Sequence, residues 1–254
     1  MKKITKIIIV ALLFGAAYFI ISLKDADGPA MAPEISETLP TRSDEIRNPK
    51  ITEDIFPEIR VEEEELPEKI SIDVPFTSQA PFGKWDPYHQ EACEEASIIM
   101  LKYYLDKKPL TPEIAEREIL AMIHYENKNL GHYEDSDAEE MVKIAEGFYG
   151  IKNLKIIYDF EKEDIKKYLA KGKPIIVPAA GRLLGNPNFT APGPLYHALV
   201  LKGYDGDTII VNDPGTRRGE GYRYDLDILY GAIHDFPGDK KKIEQGRKAM
   251  IILK

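Results

Sequence analysis

One cysteine, Cys93, is the residue of this chain best suited to nucleophilic chemistry. It is the only cysteine in 254 residues, so without an intramolecular disulfide partner it is either an inert buried residue or a reactive thiol. Apolar side chains recur at helical spacing from residue 92 onward, which places Cys93 at a predicted helix start, where the helix dipole lowers a thiol pKa. Glu94 and Glu95 oppose that effect, so a thiolate at Cys93 needs a cationic partner.

The candidate partner is a histidine on a predicted strand. Of five histidines, only His197 lies in a strongly β-patterned run, from Leu195 to Tyr204. A second run, Thr208 to Gly215, follows after Asp205-Gly206-Asp207, which predicts a hairpin. A nucleophile at a helix start, a base on a strand, and an acid or amide on the next strand are the components of a cysteine hydrolase.

The register of this hairpin decides which residue orients His197. With a two-residue turn at Asp205-Gly206, Leu199 faces Asn212, and Asn212 shares a face with His197. With a three-residue loop and a bulge, Leu199 faces Asp213, which then takes that face. The sequence leaves both registers open.

The surrounding elements predict an α+β fold with helices first and antiparallel strands later. One helix is predicted from its N-cap Thr111 and the following proline, and another from a capping box of Ser136 and Glu139 that ends at Gly150. The helices are predicted over 92–105, 112–124, 136–150 and 161–171, and the strands over 71–76, 154–158, 174–179, 195–202, 208–211 and 249–253.

The N-terminus predicts a membrane segment. Residues 7–23 form an uncharged, mostly apolar run, which as a helix nearly spans a bilayer core. Lys2, Lys3 and Lys6 precede it, so the N-terminus should stay cytoplasmic and the rest of the chain should be exported. No small-x-small cleavage site follows directly, which favours an uncleaved single-pass anchor in residues 1–23. The alternative is a cleaved signal peptide and a secreted protein.

Residues 24–70 predict an acidic, poorly ordered tether. They contain six prolines and carry a net charge of −8, a composition typical of extended spacers. Of the total charge of −9, the first 23 residues contribute +3 and the predicted domain, residues 71–254, keeps −4. Such a charge offers no basic surface for nucleic acid.

Three separated motifs resemble those of the C39-like cysteine peptidases, papain-like proteins related to the bacteriocin-processing peptidase domains of export transporters. The resemblance covers about residues 71–254. The motifs are Asp73-Val74-Pro75-Phe76-Thr77-Ser78-Gln79-Ala80-Pro81, then Ala92-Cys93-Glu94-Glu95-Ala96-Ser97, and finally Tyr196-His197-Ala198-Leu199-Val200 with Asn212-Asp213-Pro214.

This resemblance implies a role for each matching residue. Cys93 is expected to be the nucleophile, His197 the base and Asp213 the orienting acid. Gln79 is expected to complete the oxyanion hole with the backbone N–H of Cys93, and Gln90 is the alternative. No cofactor or metal is expected. His124, His132, Glu134 and Asp135 lack a recognisable ligand spacing and are interpreted as solvated residues.

The sequence thus predicts a membrane-tethered cysteine peptidase that acts on peptides or proteins outside the cytoplasmic membrane. Two alternatives remain. The same three residues could serve acyl transfer or amide crosslinking, because an amine can replace water. A non-catalytic peptide-binding surface module could also use this fold.

Overall fold

The computed structural model describes residues 65–254. The predicted membrane segment and nearly all of the predicted tether lie outside the described residues. Among residues 65–254, no helix is long and apolar enough to cross a membrane. The first strand begins at Lys69, so the folded region starts at least two residues before the predicted boundary at Ser71.

A seven-stranded sheet forms the centre of the described region, and all its strand pairings are antiparallel. The strands are β1 (Lys69–Ser71), β2 (Leu154–Tyr158), β3 (Ile175–Ala180), β4 (Tyr196–Asp205), β5 (Thr208–Asn212), β6 (Tyr222–Asp225) and β7 (Ala249–Leu253). Six of them run in the order β2-β7-β3-β4-β5-β6, and β1 also pairs with β4. The predicted α+β class is confirmed.

Strand β4 has different neighbours along its length. Its first part, Tyr196 to Leu201, pairs with β3, and its last part, Gly203 to Asp205, pairs with β1. A Cβ on Gly203 would lie 2.2 Å from the carbonyl oxygen of Ile70, so only glycine allows β1 to approach this closely. The predicted strand 71–76 is wrong except at Ser71, because the strand lies at Lys69–Ser71 and the chain leaves the sheet after the Ile72 N–H donates to the carbonyl of Lys202.

In residues 65–254, six α-helices accompany the sheet. They are α1 (Pro87–Gln90), α2 (Cys93–Asp106), α3 (Pro112–Asn129), α4 (Ala138–Tyr149), α5 (Lys162–Ala170) and α6 (Leu226–Ala232). As predicted, the Thr111 side chain caps α3 and Gly150 ends α4 in a left-handed conformation. The predicted capping box is wrong: Asp137, not Ser136, caps α4, since the Asp137 side chain accepts from the Glu140 N–H, and the Ser136 N–H donates to Glu94.

Helix α2 is the central helix of the domain. It packs on β4 and also contacts α3 and α4, and its residues Cys93 to Leu101 are all buried. Ile98, Ile99 and Met100 are at most 1% exposed, and full burial of each such side chain contributes about 1.5–3 kcal/mol. This packing fixes the position of the N-terminus of α2, and with it the position of Cys93.

Helices α2 and α3 also bury two carboxyl groups against each other. Glu95 and Glu126 are both about 1% exposed, and when both are ionised none of their four oxygens has a hydrogen-bond donor. Burial and the mutual charge raise the pKa of Glu95 well above its ordinary value, and burial raises that of Glu126 to about 8. A proton held by Glu95 lets the two carboxyls hydrogen-bond each other.

This pair makes stability depend on pH. The pKa values of Glu95 and Glu126 are raised above 4.5, the ordinary value for glutamate. Above that pH the unfolded chain releases the two protons, whereas the folded protein keeps them. Stability should therefore fall as pH rises from about 5 to about 8. Glu126→Gln removes one charge and supplies an amide donor to Glu95. We therefore expect the stability of this variant to decrease less than that of the wild type between the two ends of this pH range. The measurement is the urea midpoint of the full chain at the two pH values.

The control for this experiment is Glu146→Gln, which changes an exposed carboxyl on α4. We expect it to retain the wild-type pH dependence. A Glu126→Gln variant that loses as much stability as the wild type between the two pH values would contradict the assignment.

Candidate active site

A cleft of about 890 Å³ opens where the start of α2 meets the start of β4. Cys93, His197, Gln79 and Gln90 all contribute to its lining. The structure thus brings to one cavity four residues that the sequence analysis selected from separate parts of the chain. Asp213 lies behind His197 and is fully buried.

His197 and Asp213 form a short, buried polar contact. Nε2 of His197 lies 2.7 Å from Oδ1 of Asp213, and both side chains are at most 2% exposed. With Asp213 ionised, the Nε2–H of His197 donates to it, which leaves the lone pair of a neutral ring on Nδ1. Within residues 65–254, no hydrogen bond is made to Nδ1.

The β4–β5 register explains why Asp213, and not Asn212, meets the histidine. The turn is two residues long, since Asp205 pairs with Thr208, and a bulge then shifts the register between Leu201 and Gly203. Beyond the bulge, Val200 pairs with Asn212, so Asp213 follows on the face of His197. The result matches the second predicted register, but the extra residue lies within β4 rather than in the loop.

Asn212 points to the other face and has a structural role. Its amide nitrogen donates to the carbonyl oxygens of Val74 (3.0 Å) and Pro75 (3.4 Å), and its oxygen accepts from the N–H of Gly221 (3.2 Å). Asn212 therefore fastens the segment that leads from β1 toward Gln79.

Four donors surround the Asp213 carboxylate. Oδ1 accepts from His197 and from the N–H of Gly215, and Oδ2 accepts from the Tyr224 hydroxyl (2.7 Å) and the Asn186 amide (3.1 Å). Burial alone would raise the pKa of Asp213, but the charge of His197 and these hydrogen bonds outweigh burial and hold the pKa below its ordinary value. Asp213 thus stays ionised although it is buried.

Sequence reasoning did not identify Tyr224 and Asn186. Tyr224 lies on β6, a strand that the pattern did not predict, and Asn186 lies in the connection from Gly181 to Pro194, between β3 and β4. Part of that connection, including Asn188, Phe189 and Thr190, lines the cleft. The abundance of glycine, proline and asparagine directly before His197 was the available signal.

Two close contacts restrict the His197 ring. The Phe189 ring meets it edge to face, with 5.3 Å between the ring centroids. A Cβ added to Gly215 would lie 2.8 Å from Cε1 of His197 and 2.9 Å from Cε1 of Phe189. Residue 215 therefore needs to be glycine for the imidazole to keep this position.

The Cys93 thiol contacts a carboxylate. Its Sγ donates to Oε2 of Glu94 at 2.9 Å, and the residue is 5% exposed. Burial, then the charge and hydrogen bond of Glu94, raise the pKa of the Cys93 thiol well above its ordinary value, while the backbone N–H of Ala198 acts in the opposite direction. The resting thiol is therefore protonated.

Glu94 is itself held in place and titrates close to neutrality. Its Oε1 accepts from the N–H of Ser136, and the Ser136 carbonyl accepts from the Tyr196 hydroxyl. Burial raises the pKa of Glu94 to about 7 against the opposing effect of its hydrogen bonds. Below that pH the carboxyl is neutral and no longer opposes a thiolate at Cys93.

Gln79 joins the two halves of the cleft. Its side-chain nitrogen donates to the carbonyl oxygens of His89 (2.9 Å) and Gln90 (3.1 Å), and its backbone N–H donates to Pro214. Its Oε1 is buried without a partner. The Gln90 side chain donates to the carbonyl of Trp85 (3.0 Å) near the surface.

The tryptophan and two other histidines occupy different positions. Trp85 lines the cleft and is 40% exposed. His89 is buried between Asp86 (2.7 Å) and Glu116 (3.1 Å) and is not part of the cleft lining. His132 lies 3.4 Å from Glu140. No group of three potential metal ligands occurs in the described part of the chain.

Comparisons with known proteins agree with this fold. The model of the Peptidase_C39 like family matches residues 71–236, which is more than half of the chain. The chain therefore belongs to this family of cysteine peptidases, and the resemblance seen in the sequence is confirmed. No curated protein matches the sequence significantly.

Three solved structures are similar to the chain at low identity. A candidate C39-like peptidase from Bacillus anthracis is 14% identical, with 74% of this chain and 98% of that chain covered and a TM-score of 0.48. A prointerpain A fragment from Prevotella intermedia is 12% identical, with coverages of 73% and 72% and a TM-score of 0.47. A double glycine motif protease from an AMS/PCAT transporter, in complex with the leader peptide, is 17% identical, with coverages of 72% and 92% and a TM-score of 0.34.

The contact between Cys93 and Glu94 has a measurable consequence. Glu94→Gln removes the charge that opposes the thiolate and keeps an acceptor for the Ser136 N–H. We expect iodoacetamide to alkylate Cys93 about tenfold faster than in the wild type at about pH 8. The difference should disappear well below pH 7, where Glu94 is protonated in the wild type.

The control variant is Glu91→Gln, which removes a nearby carboxylate that contacts Lys240 instead of the thiol. It should alkylate at the wild-type rate. An equal or slower rate in Glu94→Gln at the higher pH would show that Glu94 does not suppress the thiolate.

Tyr224 is expected to act as a positioning residue through Asp213. Tyr224→Phe removes one of the four donors and should lower kcat about tenfold, because hydrogen bonds to charged groups are the strong ones, with KM nearly unchanged. Tyr222→Phe is the matched control, since its ring lies 4.8 Å from that of Tyr224 but its hydroxyl makes no hydrogen bond within residues 65–254. Equal losses in both variants, or a loss confined to KM, would argue against this role.

Proposed function

We propose that this protein is a membrane-tethered cysteine peptidase that hydrolyses peptide bonds outside the cytoplasmic membrane. Cys93 is the nucleophile, His197 the general base and acid, and Asp213 the residue that orients His197. The supporting observation is the 2.7 Å contact between His197 and Asp213 at the wall of a cleft that Cys93 also lines. The Asp213 contact leaves Nδ1 of His197 as the site that can accept a proton.

The first half of the reaction transfers the acyl group to the enzyme. The thiol turns from Glu94 to His197, Nδ1 takes its proton, and the imidazolium stabilises the thiolate. The thiolate attacks the scissile carbonyl carbon, and a tetrahedral intermediate forms. His197 then returns the proton to the departing amine, and the C–N bond breaks to leave a thioester on Cys93.

The second half releases the acid. Water enters, His197 accepts one of its protons, and the resulting hydroxide attacks the thioester carbonyl. The C–S bond then breaks, the sulfur regains a proton from His197, and the carboxylic acid leaves. Asp213 remains ionised throughout and stabilises the imidazolium in each half-reaction.

The negative charge on the intermediate needs donors close to Cys93. The backbone N–H of Cys93 belongs to the first turn of α2, whose amides have no acceptors within the helix. Gln79 is the second donor in this proposal. Its amide lies beside the turn before Cys93, and binding of substrate would replace one of its two backbone acceptors with the oxyanion.

The proposed location rests on the N-terminal sequence. The apolar run 7–23 after three lysines supports an anchor with its N-terminus in the cytoplasm. An alkaline phosphatase fused to the C-terminus should be active, since this reporter requires export, and cell fractionation should recover the full chain in the membrane. Inactive fusions would reject the exported location, and full-length chain in the soluble fraction would reject the anchor.

Catalysis is tested by removing the thiol. Cys93→Ala should abolish hydrolysis of a peptide library and covalent labelling by a peptidyl acyloxymethyl ketone, while circular dichroism shows an unchanged fold. Glu146→Gln, which changes an exposed carboxyl on α4 outside the cleft, is the control that should keep both activities. Full hydrolysis by Cys93→Ala would disprove the mechanism, and amide products formed with an added amine in place of acids would assign the site to acyl transfer.

A further inference from the structure

Three arginines on the cleft wall have no acidic partner. Arg182, Arg217 and Arg218 line the same cleft as Cys93 and His197, and all three are exposed. Within residues 65–254, none of them forms a salt bridge. By contrast, Arg223 and Arg247, which lie outside the cleft, each contact an aspartate.

The cleft lining contains four cationic side chains, the three arginines and Lys240, but only two carboxylates. Glu91 and Asp135 are the carboxylates in the lining, and both contact Lys240, at 3.4 and 3.0 Å. The cleft surface therefore carries an excess of positive charge, although the domain from residue 71 onward has a net charge of −4. Overall composition does not account for this local excess.

The guanidinium groups of two of the three arginines lie against main chain. Nε of Arg182 donates to the carbonyl of Gly193 at 3.2 Å, which leaves its terminal nitrogens for another partner. Nη1 of Arg217 lies over Gly83, where an added Cβ would be only 3.1 Å away. A guanidinium is suited to bind a carboxylate with two parallel hydrogen bonds.

We infer that this peptidase selects substrates with aspartate or glutamate close to the bond that is cut. Arg182, Arg217 and Arg218 bind these side chains and position the peptide across Cys93. The inference rests on the proposed function, because it names the substrate class of that site. The buried Glu95 and Glu126 do not oppose this selection, since burial favours their neutral forms, and Glu94 carries a charge only above a pH of about 7.

The test compares matched peptides that differ by one charge. Internally quenched peptides with glutamate near the cleavage site should show about tenfold higher kcat/KM than peptides with glutamine there. Arg182→Gln combined with Arg217→Gln should reduce this ratio to near one, and added salt should lower it in the wild type. Arg223→Gln, outside the cleft, is the control that should preserve it.

A binding measurement separates failure of this inference from failure of the proposed function. Full-length Cys93→Ala should bind the glutamate peptide more tightly than the glutamine peptide in fluorescence anisotropy, whether or not the wild type cleaves either one. Equal binding and equal cleavage would overturn the acidic selectivity and leave the peptidase mechanism standing. Preferential binding without any cleavage by the wild type would reject the peptidase mechanism alone.

The acidic peptide could belong to another protein or to residues 24–64 of this chain. Incubation of wild type with full-length Cys93→Ala, followed by mass spectrometry, distinguishes these sources. Cleavage beside an acidic residue within 24–64 supports the inference with the chain as its own substrate. An intact partner chain, together with cleavage of the glutamate peptides, supports it with a separate polypeptide as substrate.

Discussion

The contact between His197 and Asp213 depends on a one-residue shift in the pairing of β4 and β5. If β4 and β5 kept the pairing seen next to the turn along the whole hairpin, Asp213 would no longer lie on the same face of the sheet as His197. A neutral amide or a main-chain group would then occupy that position instead. The bulge between Leu201 and Gly203 prevents this. Pairing of β1 with the segment just beyond the bulge holds both parts of β4 in place, so the sheet and the cleft depend on the same irregularity.

Polar groups around the cleft fall into two kinds. Asp213 is buried with a charge, and four donors compensate for its loss of hydration. Glu95 and Glu126 are buried without donors, so the fold favours their protonated forms. Glu94 lies between these extremes, with one backbone donor and the thiol of Cys93. The nucleophile Cys93 therefore contacts a buried carboxyl, Glu94, whose protonation state changes near neutral pH. The base His197 contacts a buried carboxylate, Asp213, that stays ionised.

Local patterns predicted most of the regular structure. The strands 154–158 and 249–253 and helix α2 match the expected ranges within one residue, because strong apolar periodicity or alternation defines them. The elements β6 and α6 were not predicted, because they are short and their polarity is mixed. The predicted helix start at Ser136 was wrong by one residue, because the side chain of the neighbouring Asp137 accepts from the Glu140 N–H and caps the helix, and aspartate and serine are both favoured at this position.

The sequence by itself determined which side chains could carry the chemistry: one thiol at a helix start, one histidine in a strand, and an Asn-Asp pair on the returning strand. Residue type, spacing and helix or strand periodicity are local properties, so they are readable from the chain. Only the tertiary structure decided between Asn212 and Asp213, added Tyr224 and Asn186, and directed the Cys93 thiol to Glu94. These choices depend on strand register and on contacts between residues far apart in sequence, where packing and the burial of charge decide the outcome.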